Sequence, residues 1–157
     1  MDDLYHLPGF LGTEALFGAD LTLVLILFSS LLFTIGWQLA FKKRYEIHRW
    51  VQTAAAIINA AVVIFVMLGS FWGYVLPEVP EKIGHPAVWV SIIHGMVGMA
   101  GFLLGIFIVL RANNLVPKFL QFKNYKTFMR VSYALYMLST IFGLAVYLAL
   151  YVFKSGL

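Results

Sequence analysis

The chain has 157 residues, of which 62% are hydrophobic and 11% charged, and it contains no cysteine. Soluble domains carry about 25% charged residues, so this composition excludes an ordinary water-soluble fold. The missing cysteine excludes disulfides, thiolate metal sites and iron–sulfur clusters held by this chain.

The first residues, Met1-Asp2-Asp3, place acids where a signal peptide would carry basic residues, so no signal peptide is expected. Residues 1–20 read as an outer N-terminal segment with Gly9, Gly12 and Gly18, lying on the membrane or on a partner. Four runs without a formal charge follow, at 21–41, 50–76, 86–110 and 131–153. Each reaches the roughly 20 residues needed to cross a hydrocarbon core about 30 Å thick. A backbone in lipid must satisfy its own polar groups, so these runs become helices. The fold class expected is all-α: an integral membrane four-helix bundle.

The charges set an expected topology. Nine of the eleven Lys and Arg residues lie in two connections. Lys42, Lys43, Arg44 and Arg49 flank the first; Arg111, Lys118, Lys123, Lys126 and Arg130 occupy a basic loop at 111–130. Except for Glu46, the acids lie toward the opposite ends of the spans. Short basic loops stay in the cytoplasm, which predicts a multi-pass protein of the cell (inner) membrane with both termini outside. This placement accounts for a net charge of +4 without nucleic acid. Trp50 and Tyr133 fall at the expected inner boundary; Trp72, Tyr74, Trp89 and Tyr151 fall at the outer one. The 111–130 loop interleaves its lysines with Phe119, Leu120, Phe122, Tyr125 and Phe128. That pattern suits anionic membrane lipid, or a partner subunit.

Counting from the middle of each run places His94 about four residues, or roughly 6 Å, outward of the centre of span three. An ionisable group at that depth is costly and marks a functional-site hypothesis. The structural alternative is a neutral ring hydrogen-bonded to Ser29, Ser30, Ser70 or Tyr147, which count to similar depths. Gly98, Gly101 and Gly105 share a helical face with His94. The four together suggest a groove for a planar macrocycle or quinone headgroup. The plainer reading is close packing of small residues between spans two and three, with Ala54, Ala55, Ala56, Ala60 and Ala61 opposite.

Two histidines of this chain cannot share one iron, because His48 lies about 24 Å in depth from His94. Met67 counts to the depth of His94 and is the candidate second ligand for haem b. His6 and His85 supply no obvious transmembrane partner. Thr34, Asn59, Ser139 and Thr140 form a polar layer on the inner half, read as structural, with Asn59 bonded to hydroxyls of spans one and four. His48, Arg49 and Arg130 form a group at the inner boundary. They suit headgroup contact, or coordination of a metal, or a haem propionate held by charge-assisted bonds.

The basic run before His48-Arg49, the segment Ser91-Ile92-Ile93-His94-Gly95 and the stretch Lys126 to Tyr147 together carry a resemblance. From about Lys42 onward the chain resembles a family of small four-span bacterial and archaeal membrane proteins. That family is catalogued as a domain of unknown function, and some members are linked to maturation of haem–copper terminal oxidases. The resemblance implies that His48 and His94 match two of the family's histidines. Where the family tends to carry a further histidine before its fourth span, this chain has Tyr125-Lys126.

Three functions are therefore expected in order. The first is an accessory membrane protein of a respiratory or related redox system, assisting assembly of a haem-containing complex or residing in it. The second is a small haem-b electron-transfer subunit. The third is a structural bundle without cofactor, docked on other membrane subunits. Hydrolytic catalysis has no basis, since there is no cysteine, embedded acid beside His94 or phosphate-binding glycine loop.

Overall fold

The computed structural model describes residues 7–84, 86–121 and 124–153. Span one is the helix Phe17–Phe41 and span three the helix Pro86–Ala112. Span two begins as Tyr45–Val62 and continues, through π turns at Val63–Met67 and Phe71–Val75, to Lys82. Span four is Tyr125–Tyr147, extended by a π turn at Leu148–Val152. All four are long and apolar enough to cross a membrane, which makes this a multi-pass, all-α membrane protein.

The helices start or end several residues beyond the uncharged runs. Span one takes in Asp20, span two Glu46 to Arg49, and span four Lys126 and Arg130. Lipid solvates the apolar middle, but helical hydrogen bonding continues into the interface, where long charged side chains reach water. The basic connection between spans three and four is correspondingly shorter than 111–130.

Both connections at the basic end close in the same way. Lys43 and Asn114 adopt left-handed backbone, at φ 58° and 60°. Arg44 N–H then donates to Leu39 C=O and Lys43 N–H to Ala40 C=O; Leu115 N–H donates to Leu110 C=O and Asn114 N–H to Arg111 C=O. This Schellman pattern satisfies the last carbonyls of spans one and three. At the other end, span two passes through Pro77 and Pro80, neither of which offers an N–H to the preceding turn. The π turn Phe71–Val75 lies directly ahead of them, where a local widening accommodates the lost donors.

The spans run up and down as two antiparallel hairpins, one–two and three–four, with span one also against span four and span two against span three. An even number of crossings puts the first and last described residues, Leu7 and Phe153, at one end. The buried interior is made of small or polar side chains, including Ala55, Ala56, Val62, Ser29 and Asn59. Leu27, Phe28, Leu31, Ile57, Phe65 and Leu103 point outward, an arrangement suited to lipid and costly in water.

Tyrosine hydroxyls of span four join it to span one at three levels. Tyr133 OH pairs with Thr34 Oγ1 at 3.0 Å, and its ring stacks on Trp37. Tyr136 OH donates to Ile26 C=O at 3.3 Å, its ring edge-on to Phe33. Tyr147 OH donates to Asp20 at the terminal end. The expected inner polar layer is not one network. Thr140 bonds its own helix at Tyr136 C=O, and Asn59, though buried, forms no hydrogen bond to Thr34, Ser139 or Thr140. Thr34 instead uses Ser30 C=O and Tyr133, because within reach each hydroxyl finds a local acceptor first.

Candidate functional site: the His94 seat

Pro86 opens span three, where a helix has no use for that residue's N–H. Two turns later His94 faces span four. Its Nδ1 lies 3.0 Å from the carbonyl oxygen of Ser139 and 3.5 Å from the Ser139 hydroxyl. A carbonyl only accepts, so Nδ1 carries the proton and the neutral ring keeps its lone pair on Nε2. Gly143 makes the room: a Cβ there would come within 3.0 Å of His94 Cε1. None of Ser29, Ser30, Ser70 and Tyr147, the partners expected from depth counting, bonds the ring. Ser30 bonds Leu27 C=O in its own helix, and Tyr147 is taken by Asp20.

The glycine face continues from this seat, and its partner differs from the expectation. A Cβ on Gly98 would lie 2.9 Å from Ser139 Oγ, one on Gly101 3.2 Å from Leu135 Cβ, and one on Gly105 3.4 Å from Ser132 Oγ. His94, Gly98, Gly101 and Gly105 thus meet Gly143, Ser139, Leu135 and Ser132 in antiparallel register. Span four carries the complementary row, small at Gly143, Ser139 and Ser132, so it, and not the alanine face of span two, takes the close approach. Span two lays Ala55 and Ala56 into the interior while Ala54 and Ala61 are exposed. Span four packs against the glycine face at Gly98, Gly101 and Gly105.

His48 repeats the device at the basic end. Its Nδ1 lies 2.6 Å from Gly36 C=O of span one, so this nitrogen carries a proton and donates. One turn on, Gln52 donates to Phe33 C=O at 3.1 Å across the same glycine. A Cβ on Gly36 would sit 2.5 Å from Gln52 Nε2. The two imidazoles belong to different hairpins: His48 of span two bonds span one, and His94 of span three bonds span four.

The remaining candidates do not converge. Arg49 pairs with Glu46 at 3.7 Å and lies over the Trp50 ring, and Arg130 is exposed at the start of span four. No ion pair or hydrogen bond among the described residues joins them to His48. Met67 lies half-buried in the first π turn of span two, whereas the His94 ring is held by span four. No group of three His, Asp or Glu able to hold a metal occurs among the described residues. His6 and His85 lie outside them.

Sequence reading missed Asp20, which it left in the outer segment. The side chain is fully buried one turn into span one. Its Oδ2 accepts from the N–H groups of Phe10 and Leu11 at 2.6 and 2.7 Å, and its Oδ1 accepts from Tyr147 OH at 2.6 Å. Thr13 Oγ1 is 2.8 Å from the same hydroxyl and donates to it, since that proton is given to Asp20. Residues 7–16 therefore form a strap over the terminal end. It is closed by Gly9 N–H to Ala15 C=O and Phe17 N–H to Leu7 C=O. The available signal was an acid in the first turn of a helix preceded by two nearby glycines, Gly9 and Gly12.

No protein-family model matches the chain, and no curated protein or solved structure matches it either.

Proposed function

We propose that the chain is an accessory protein of a redox system in the cell membrane, offering one imidazole nitrogen, His94 Nε2, to a haem or metal of a partner complex. The observation that carries this reading is the Nδ1 contact to Ser139 C=O. Histidines that ligate iron or other metals commonly donate the second ring N–H to a backbone carbonyl, which fixes the tautomer and orients the ring. The resemblance read from Ser91-Ile92-Ile93-His94-Gly95 supports the same residue and a place in oxidase maturation.

Haem b held by this chain alone is the alternative. Its fit is partial: His94 would be the residue to hold the iron, but span four packs against the glycine face meant to receive the ring. Bound haem would supply one-electron chemistry, and the part of this chain would be to hold and orient His94 through Ser139 and Gly143. Charge also supports an orientation in the membrane. Lys42, Lys43, Arg44, Arg49, Arg111, Lys118, Lys126 and Arg130 lie at one end of the bundle, which supports a cytoplasmic basic end and outer termini.

The test is a haem spectrum of membranes from cells that make only wild-type or His94→Ala protein, with metal analysis of each purified chain. Loss of the terminal-oxidase haem signal in His94→Ala, at unchanged amounts of inserted protein, is expected. An unaltered signal would refute the reading. A Soret band in the isolated wild-type chain, absent in the variant, would instead establish the alternative.

A further inference from the structure

The strap at the terminal end turns the Thr13 hydroxyl and several backbone N–H groups inward and four apolar side chains outward, with Glu14 exposed to water. Leu7, Phe10, Leu11 and Leu16 are between 43% and 51% exposed. Meanwhile the N–H groups of Gly9, Phe10, Leu11, Ala15 and Phe17 all donate within the protein. The carbonyls of Leu7 and Ala15 accept, and the Thr13 hydroxyl is bonded to Tyr147. A loop in water has no need of this, because water satisfies whatever it leaves open. A loop against hydrocarbon must satisfy its own backbone. The Asp20 carboxylate does that for the two successive N–H groups of Phe10 and Leu11, which form a small anion-holding concavity around it.

Position agrees with this economy. The strap ends at Leu16, immediately before span one, so it sits at the depth where hydrocarbon gives way to headgroups. Leu16 also lies on the helical stripe of Leu27 and Leu31, which are 42% and 56% exposed on the lipid-facing side of that span. The apolar edge of the strap is thus continuous with a surface that lipid already covers.

We propose that residues 7–16 are a monotopic anchor: Leu7, Phe10, Leu11 and Leu16 lie in the boundary layer of the bilayer at the terminal end, and Asp20 latches the strap in that posture. The occupant of this edge is lipid, not a protein. The anchor fixes the height of span one and covers the junction of spans one and four at Tyr147.

The absence of cysteine allows single labelling sites. Leu7→Cys, Leu11→Cys and, as a water-side reference on the same strap, Glu14→Cys would each carry an environment-sensitive fluorophore. Each full-length protein is reconstituted in phosphatidylcholine vesicles, with helix content checked by circular dichroism. Emission at Leu7 and Leu11 is expected to be blue-shifted. Lipids with a nitroxide high on the acyl chain should quench it at least about twofold more than at Glu14, while aqueous iodide shows the reverse order. Adding Asp20→Asn should abolish that difference. Equal iodide quenching at all three sites in well-folded protein would overturn the proposal, because an edge reserved for a protein partner stays wet in pure lipid. Retention of the full difference in the Asp20→Asn background would overturn the latch.

Discussion

Tyr147 of span four donates its hydroxyl to Asp20 of span one at 2.6 Å, across 127 positions of sequence. The contact ties the last regular turn of the bundle to its first, and Thr13 of the strap completes it. A buried carboxylate with three donors is stable only while all three remain, since each unpaired polar group in so apolar a setting carries its own desolvation cost.

Tyr147→Phe removes one charge-assisted bond and leaves Thr13 without its acceptor. The expected loss is about 1.5–3 kcal/mol. Asp20→Ala strands two backbone N–H groups as well as the tyrosine, and should cost more than Tyr147→Phe. Unfolding in mixed micelles with increasing denaturing detergent measures both. Equal stability of the two variants would show that the strap contributes nothing to the latch.

The small-residue contacts predict a ranking. Gly36→Ala should be worst, because the new methyl meets Gln52 at 2.5 Å and breaks its bond to Phe33 C=O. Gly101→Ala follows, pressed on Leu135 Cβ at 3.2 Å, and Gly105→Ala should be near neutral at 3.4 Å from Ser132 Oγ. Overpacking of this kind costs about 1–3 kcal/mol in the tight cases. Helix content against temperature for the three proteins checks the order.

Gly143→Ala tests the imidazole seat without touching the imidazole. The added methyl would stand 3.0 Å from His94 Cε1, so the ring must turn and its bond to Ser139 C=O must lengthen. If His94 Nε2 is a ligand, this variant should reproduce part of the His94→Ala loss of haem signal while the bundle stays folded. A full signal in Gly143→Ala would mean that the ring orientation is immaterial.

Lys43 occupies left-handed backbone at φ 58° without the freedom of glycine. Lys43→Gly should stabilise the first hairpin by about 0.5–1 kcal/mol, and Lys43→Val should destabilise it by at least as much. Asn114→Gly should change less, because asparagine tolerates this conformation. Thermal unfolding of the three variants in one detergent distinguishes these outcomes.

The solvent argument made the spans and the basic end legible from residues alone. Uncharged runs of this length have no other stable form in a bilayer, and charge cannot be buried there without visible cost. Even the shared face of His94, Gly98, Gly101 and Gly105 follows from helical spacing. What that face meets does not follow. In lipid the side of a helix that touches another helix is no more apolar than the side that touches hydrocarbon, so hydropathy cannot say which neighbour is chosen. Span four was selected over span two by the register of Ser132, Leu135, Ser139 and Gly143, a property of two helices at once.

Asp20 shows the same division more sharply. As a letter in the chain it is an acid beside an apolar run, and the economical place for it is water. Its burial is decided by donors at Phe10, Leu11 and Tyr147, which only folding brings together. Sequence determined which segments are long and apolar enough to cross; tertiary structure alone decided which partners satisfy their polar groups, because hydrogen bonds between helices depend on rotation and register that no single segment specifies.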